Sequence, residues 1–313
     1  MLKIRTFILA LTFIMASALY AEPAQLKTPT GTLYGTLELP QNASRPCPIA
    51  LIIAGSGPTD RDGNNPLLGG SNNSLKMLAQ GLAIQGIASL RYDKRGIGQS
   101  AEAMLAEEDL RFGTLAEDAV LWTRQLQQDP RFSGVTVIGH SEGASLGLLA
   151  ARMAQLQTYV SIAGPGQPAG DMILSQVRSQ LPEDLLKKCQ EIVAALTDGK
   201  TVDDVPPALG ALFRPSVQPY IISWFRYKPT VEIAGFSGRI LIVQGTSDIQ
   251  VTVDDAQALA KAQPRAELLI IPSMNHVLKD TPAERDKQLA SYSDPSLPIN
   301  QTLVDAIARF IGK

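Results

Sequence analysis

The sequence predicts an α/β protein: a mostly parallel sheet flanked by helices on both faces, with a helical cap inserted above one edge. Three observations carry this. Continuous apolar runs alternate with amphipathic, helix-like stretches along most of the chain. One apolar run, 135–139, ends abruptly in Gly139-His140-Ser141-Glu142-Gly143 and passes straight into a helix-like segment. The alternation stops between Pro165 and Gly235, where helix formers and then prolines replace it.

The elements follow in order. The apolar run 48–55 reads as a buried strand, and 74–86 as a helix closed by Gly86. A second strand covers 87–93. Segment 114–128 sets Leu115, Ala119, Trp122 and Leu126 three and four residues apart, on one face of a helix. Strands are then expected at 135–139, 159–164, 239–245 and 266–272, with helices after Glu142, at 254–263 and at 303–311. The core therefore spans 22–165 and 236–313, and the cap 166–235. Within the cap, Ile221, Ile222, Trp224, Phe225 and Tyr227 concentrate apolar surface, either to line a pocket or to glue the cap to the core.

The chain has 313 residues and 45% apolar content, enough for a sizeable core. Its formal charge of -2 offers no basic surface for nucleic acid. Lys3 and Arg5 precede an apolar run, 7–15, and small residues through Ala21, the layout of a secretory signal at 1–21. The run is too short to span a membrane comfortably. The expectation is cleavage after Ala18 or Ala21, a mature chain without a membrane span, and a periplasmic or secreted location. Cys47 and Cys189 read as separate buried thiols. Oligomeric state is not legible.

Ligands of open parallel sheets sit beyond the carboxyl ends of the strands. Ser141 occupies such an end. A sharp strand-to-helix turn crowds the positions two before and two after its centre, which is why both are glycine here, Gly139 and Gly143. The turn exposes the Ser141 hydroxyl at a helix N-terminus, whose dipole favours developing negative charge. A serine nucleophile needs a base. There are two histidines, His140 and His276. His140 neighbours the serine and faces the other way, so it reads as packing beneath the turn. His276, after the 266–272 strand, is the base. Asp248, after the 239–245 strand, is the carboxylate that orients it. Asp254 and Asp255 read instead as acids of the next helix's first turn.

Two oxyanion donors are expected: the backbone N–H of Glu142, and that of Ser56 (less favoured, Gly57) in the loop 54–64, where Pro58 has none. The Glu142 side chain reads as solvated. Asp60, Asp62 and Asn64 begin like a calcium loop, but Asn65 and Ser71 stand where it needs Gly and Glu, so no metal is assigned. Asp60 and Asp62 serve the turn and its salt bridges, or else dock a cationic substrate group. Asp93 and Arg95 are expected to pair beneath the site.

With these residues in place, the chain resembles the α/β-hydrolase superfamily. Gly139 to Gly143 resembles its nucleophile elbow, 91–100 its glycine-rich loop, 245–251 its acid loop and Met274-Asn275-His276 its histidine loop. The order Ser141, Asp248, His276 is that of this superfamily. The oxyanion loop and insertion are similar to those of exported bacterial esterase and serine aminopeptidase-like members. One departure is Ala54-Gly55, where many relatives have His-Gly; the loop must be anchored by another group. The resemblance implies the fold and the triad but does not fix the substrate; the expectation is a serine hydrolase of carboxylic esters working through an acyl-enzyme, without cofactor or metal, on a small ester or acyl substrate. An aminopeptidase or amidase, a thioesterase, and a non-catalytic binding protein on the same fold are the alternatives.

Overall fold

The computed structural model describes residues 20–41, 46–178, 180–282 and 284–312. The expected signal segment lies outside them, apart from Tyr20 and Ala21, which open the first strand.

An eight-stranded sheet runs in the order β1-β2-β4-β3-β5-β6-β7-β8. Six strands match the apolar runs of the sequence: β3 (Cys47–Ile53), β4 (Ala88–Tyr92), β5 (Phe132–His140), β6 (Thr158–Ile162), β7 (Arg239–Gly245) and β8 (Glu267–Ile271). From β4 through β8 every pairing is parallel. Sequence reading missed an N-terminal hairpin, β1 (Tyr20–Thr28) and β2 (Gly31–Leu39), which joins β4 antiparallel. β1 is an edge strand with mostly exposed side chains, so it lacks the apolar run that marks its neighbours. Its edge position also tolerates Pro23.

Side chains alternate across the sheet, as the strand period requires. On β3, Ile49, Leu51 and Ile53 enter one core layer, while Ala50 and Ile52, with Ala54 just past the strand, enter the other. The first layer is closed by α2 (Phe112–Gln128), α3 (Glu142–Met153) and α9 (Val253–Ala262). Leu115, Ala119, Trp122 and Leu126 are all buried there, as their spacing predicts. The second layer is closed by α1 (Ser74–Ile84) and α11 (Gln301–Ile311), which contributes Leu303, Val304, Ile307 and Phe310.

Between β6 and β7 the chain forms α4 (Ala169–Val177), α5 (Glu183–Thr197), α6 (Gly210–Phe213), α7 (Gln218–Phe225) and α8 (Pro229–Ala234). Cys189, Ile192, Phe213, Ile221 and Phe225 build a separate small core in this insertion. Helix α8 differs, placing Ile233 in the first layer of the main core. Trp224 stacks on Phe112 of α2, with ring centroids 5.7 Å apart and planes at 11°. Trp224, together with Tyr220 and Tyr227 against the same Phe112 ring, thus holds the insertion to the core. Cys47 and Cys189 are both free and buried. Helix α10 (Arg285–Ser291) lies between β8 and α11.

Candidate active site

Parallel strands point their carboxyl ends the same way. The loops after β3, β5, β7 and β8 therefore gather at one edge, and they carry Ser56, Ser141, Asp248 and His276 respectively.

Ser141 sits between β5 and α3 with φ 57° and ψ -123°, outside the regions open to most L-residues. Such a conformation costs about 1–3 kcal/mol and persists only where its surroundings enforce it. The flanking glycines do so. A Cβ on Gly139 would lie 2.2 Å from the carbonyl oxygen of Gly143, and one on Gly143 would lie 2.3 Å from that of Ile53. The hydroxyl of Ser141 makes no hydrogen bond to another described residue.

Asp248 and His276 meet directly, with His276 Nδ1 2.8 Å from Asp248 Oδ2. Asp248 Oδ1 accepts the backbone N–H groups of Gln250 and Val251 at 2.8 and 3.0 Å. Burial pushes this carboxyl's pKa up, but His276 and the two N–H donors outweigh it and hold the pKa below its ordinary value. Gln244, on β7, also donates to Asp248 Oδ2 at 3.2 Å. Sequence reasoning missed Gln244. Its signal was a lone amide in an otherwise apolar strand. Asp255 caps α9 through Thr252, consistent with its reading as a helix acid.

His140 is buried beneath this pair. Its ring lies 4.8 Å from the ring of His276, and Nε2 lies 2.8 Å from the carbonyl oxygen of His276. A carbonyl only accepts, so Nε2 carries the proton and donates. Burial first, then the neighbouring His276, pull the His140 pKa down to about 3, so the ring is neutral at ordinary pH. The residue next to Ser141 thus holds the backbone of His276, which brings the two loops together.

Gly55 passes close to the serine: a Cβ there would lie 3.1 Å from Ser141 Cβ. Ser56 is exposed. Neither its N–H nor that of Glu142 donates to another described residue. Of the two expected oxyanion donors, Glu142 follows Ser141 in the chain and Ser56 follows Gly55, which packs against Ser141.

Two expectations need correction. The Glu142 side chain is not solvated: it is buried, pairs with Lys94 at 3.2 Å and accepts the phenol hydroxyl of Tyr220 from α7. Asp93 and Arg95 do not pair. Asp93 binds Arg61 at 2.6 Å, whereas Arg95 grips both oxygens of Asp118 on α2 at 2.6 Å each. The partners lie tens of residues away, where sequence adjacency gives no signal. Ile222 and Tyr227 line a cavity of about 530 Å³ with Arg111 and Arg226, but none of Ser141, Asp248 or His276 borders it.

The Asp60 and Asp62 carboxylates are engaged. Asp60 Oδ1 accepts the N–H groups of Asp62 and Asn64 at 2.9 Å each, and Asp62 pairs with Arg91 at 2.8 Å. They serve the turn and its salt bridges.

A half-buried serine on a strained strand-to-helix turn, with a buried His–Asp pair at the same edge of a mostly parallel sheet, gives the chain the fold of the α/β hydrolases. A family model described as serine aminopeptidase, S33, matches residues 68–198. The esterase EstD of Thermotoga maritima is 27% identical over 292 residues, which cover 90% of this chain and 66% of that protein. The chain thus spans about two thirds of that relative's length. Among solved structures, Est1E from Butyrivibrio proteoclasticus with bound ferulic acid superposes with a TM-score of 0.60 at 18% identity, covering 90% of this chain and 94% of that one. XC6422 from Xanthomonas campestris, described as a serine hydrolase without a lid, gives 0.51 at 17% identity, covering 93% and 94%.

Proposed function

We propose that the protein is a serine hydrolase that cleaves small carboxylic esters through an acyl-enzyme. The observation that carries this reading is the His276–Asp248 contact of 2.8 Å in a loop fastened to the neighbour of Ser141. Ser141 Oγ attacks the ester carbonyl while His276 Nε2 takes its proton. The carbonyl oxygen becomes an oxyanion held by the N–H groups of Ser56 and Glu142. As the tetrahedral intermediate collapses, the C–O bond to the alcohol breaks and His276 returns the proton to the leaving oxygen. Water then attacks the acyl-enzyme in the same way, releasing the acid and regenerating Ser141. Asp248 fixes the His276 tautomer and stabilises its imidazolium. Each oxyanion donor is expected to contribute about 10²–10³ in rate.

The test is turnover of a short-chain aryl ester together with labelling by a fluorophosphonate. Wild type should do both. Ser141→Ala should do neither, its turnover falling by about 10⁴ or more. A wild-type protein that neither turns over nor labels would identify a binding protein on the same fold. A panel varying acyl chain and leaving group, with feruloyl esters included because a structural neighbour holds ferulic acid, reads out the substrate class.

The family model's description favours an aminopeptidase as the second reading. Asp60 and Asp62 do not supply a free carboxylate for a substrate ammonium, since both are spent within the loop and on Arg91. Aminoacyl anilides cleaved faster than matched aryl esters would reverse this preference; thioesters belong in the same panel. The residues up to Ala21 support export to the periplasm or medium, and an intact mass of the exported form that retains Met1 would contradict cleavage.

A further inference from the structure

The loop after β3 opens with Ala54-Gly55, neither of which has a side chain able to anchor it by a hydrogen bond. The anchor comes from the glycine-rich loop after β4. Lys94 Nζ donates to the carbonyl oxygen of Gly55 and pairs with Glu142 Oε2 at 3.2 Å. Both side chains are buried, 5% and 4% exposed, so the pair is not a surface ornament screened by solvent. The other carboxylate oxygen of Glu142 accepts the hydroxyl of Tyr220 on α7. Burial, and the adjacent Glu142 carboxylate, hold the Tyr220 pKa well above the ordinary phenol range, so the hydroxyl keeps its proton and donates.

The geometry matters because a peptide unit is planar and trans. The carbonyl of Gly55 and the N–H of Ser56 belong to one such unit and point in opposite directions. Fixing the oxygen on Lys94 therefore fixes the N–H on the opposite side of a peptide whose Gly55 adjoins Ser141. Gly55 carries no Cβ, so rotation about its ψ leaves other orientations of this peptide sterically open. The other oxyanion donor is the N–H of Glu142 itself, whose side chain is the counter-ion of Lys94. One buried cation thus ties the two donors together.

Resting on the ester-hydrolase reading, we infer that Lys94 is the positioning residue of the oxyanion hole, orienting the Gly55–Ser56 peptide, and that Tyr220 couples the seating of the helical insertion to it through Glu142. Lys94 touches no reacting atom; its effect passes through the peptide plane. The loss on removing it is confined to the transition state, where the oxyanion exists, and leaves ground-state binding alone.

The experiment compares wild type with two variants. Lys94→Met combined with Glu142→Gln removes the anchor without stranding a buried charge. Tyr220→Phe removes a hydroxyl alone. Each is measured for kcat and KM on a short-chain aryl ester, for the affinity of a trifluoromethyl ketone that forms a tetrahedral adduct on serine, and for melting temperature. The double variant should lose about 10²-fold in kcat, with KM within about threefold, and its ketone affinity should fall by the same factor as kcat/KM. Tyr220→Phe should lose about threefold to tenfold in both, with a melting temperature lowered by a few degrees because a buried carboxylate oxygen loses its donor. Folded variants with wild-type kcat and ketone affinity would overturn the inference, as would a loss confined to KM. If the double variant does not fold, Tyr220→Phe decides by the same criterion. Failure of the wild-type protein itself to bind the ketone would strike the hydrolase reading instead, so the two failures are distinguishable.

Discussion

His140 donates its Nε2–H to the backbone carbonyl of His276 over 2.8 Å, across 136 residues of sequence. The contact joins the serine turn to the loop of the proposed base. The imidazole is neutral because burial and the second histidine beside it outweigh this hydrogen bond, which by itself favours the charged form.

Acid should therefore unfold the protein through His140. Its folded pKa is about 3, against an unfolded value of about 6.5. Between these limits the unfolded chain binds a proton that the folded one does not, so stability is full above about pH 6.5 and falls as the pH drops. The slope from this group is at most about 1.4 kcal/mol per pH unit. His140→Gln should flatten the acid limb by up to that amount. Urea unfolding of both proteins from pH 4 to 7 would show it; equal slopes would remove His140 as the cause.

Asp248→Asn should lower kcat by about 10⁴ and leave KM nearly unchanged, because an amide stabilises the wrong tautomer of His276. The carboxyl's lowered pKa keeps it ionised through mild acid. Its contribution to stability is therefore fully present above about pH 4 and is lost only as pH falls through the lowered folded value. Steady-state kinetics on an aryl ester supply the check, and a loss under tenfold would show that His276 does not depend on this carboxylate.

Gly143→Ala should cost about 3 kcal/mol or more. The added methyl would meet the carbonyl oxygens of Ile53 and Ala54 at 2.3 and 2.6 Å, and these belong to backbone that cannot swing aside. Thermal melting measures the cost. A melting temperature equal to wild type would mean that the turn is looser than its geometry indicates.

Arg95 and Asp118 form a buried two-pronged pair between the glycine-rich loop and α2. Burial raises the pKa of Asp118 despite the guanidinium, a sign that desolvation outweighs attraction. Asp118→Ala strands the arginine and should cost about 3–5 kcal/mol, whereas Asp118→Leu combined with Arg95→Met should cost far less. Denaturant unfolding of the single and double variants separates the two; equal losses would contradict the desolvation argument.

The sequence by itself determined what local sterics and periodicity control. Apolar runs located β3 to β8, and the spacing of Leu115, Ala119, Trp122 and Leu126 oriented α2. Gly139 and Gly143 announced the turn at Ser141, because only glycine fits so close to its own backbone. With two histidines in the chain and the base expected after a strand, His276 could be chosen before any coordinates. The hairpin β1–β2 escaped because its outer strand lies on an edge and buries little.

Only the tertiary structure decided the partners of buried charges. Arg61 rather than Arg95 meets Asp93, and Lys94, Glu142 and Tyr220 join from three separate segments. Long polar side chains reach across the fold to whichever counter-charge burial leaves beside them. No period or local turn records that choice, because it is made by desolvation once the layers have closed.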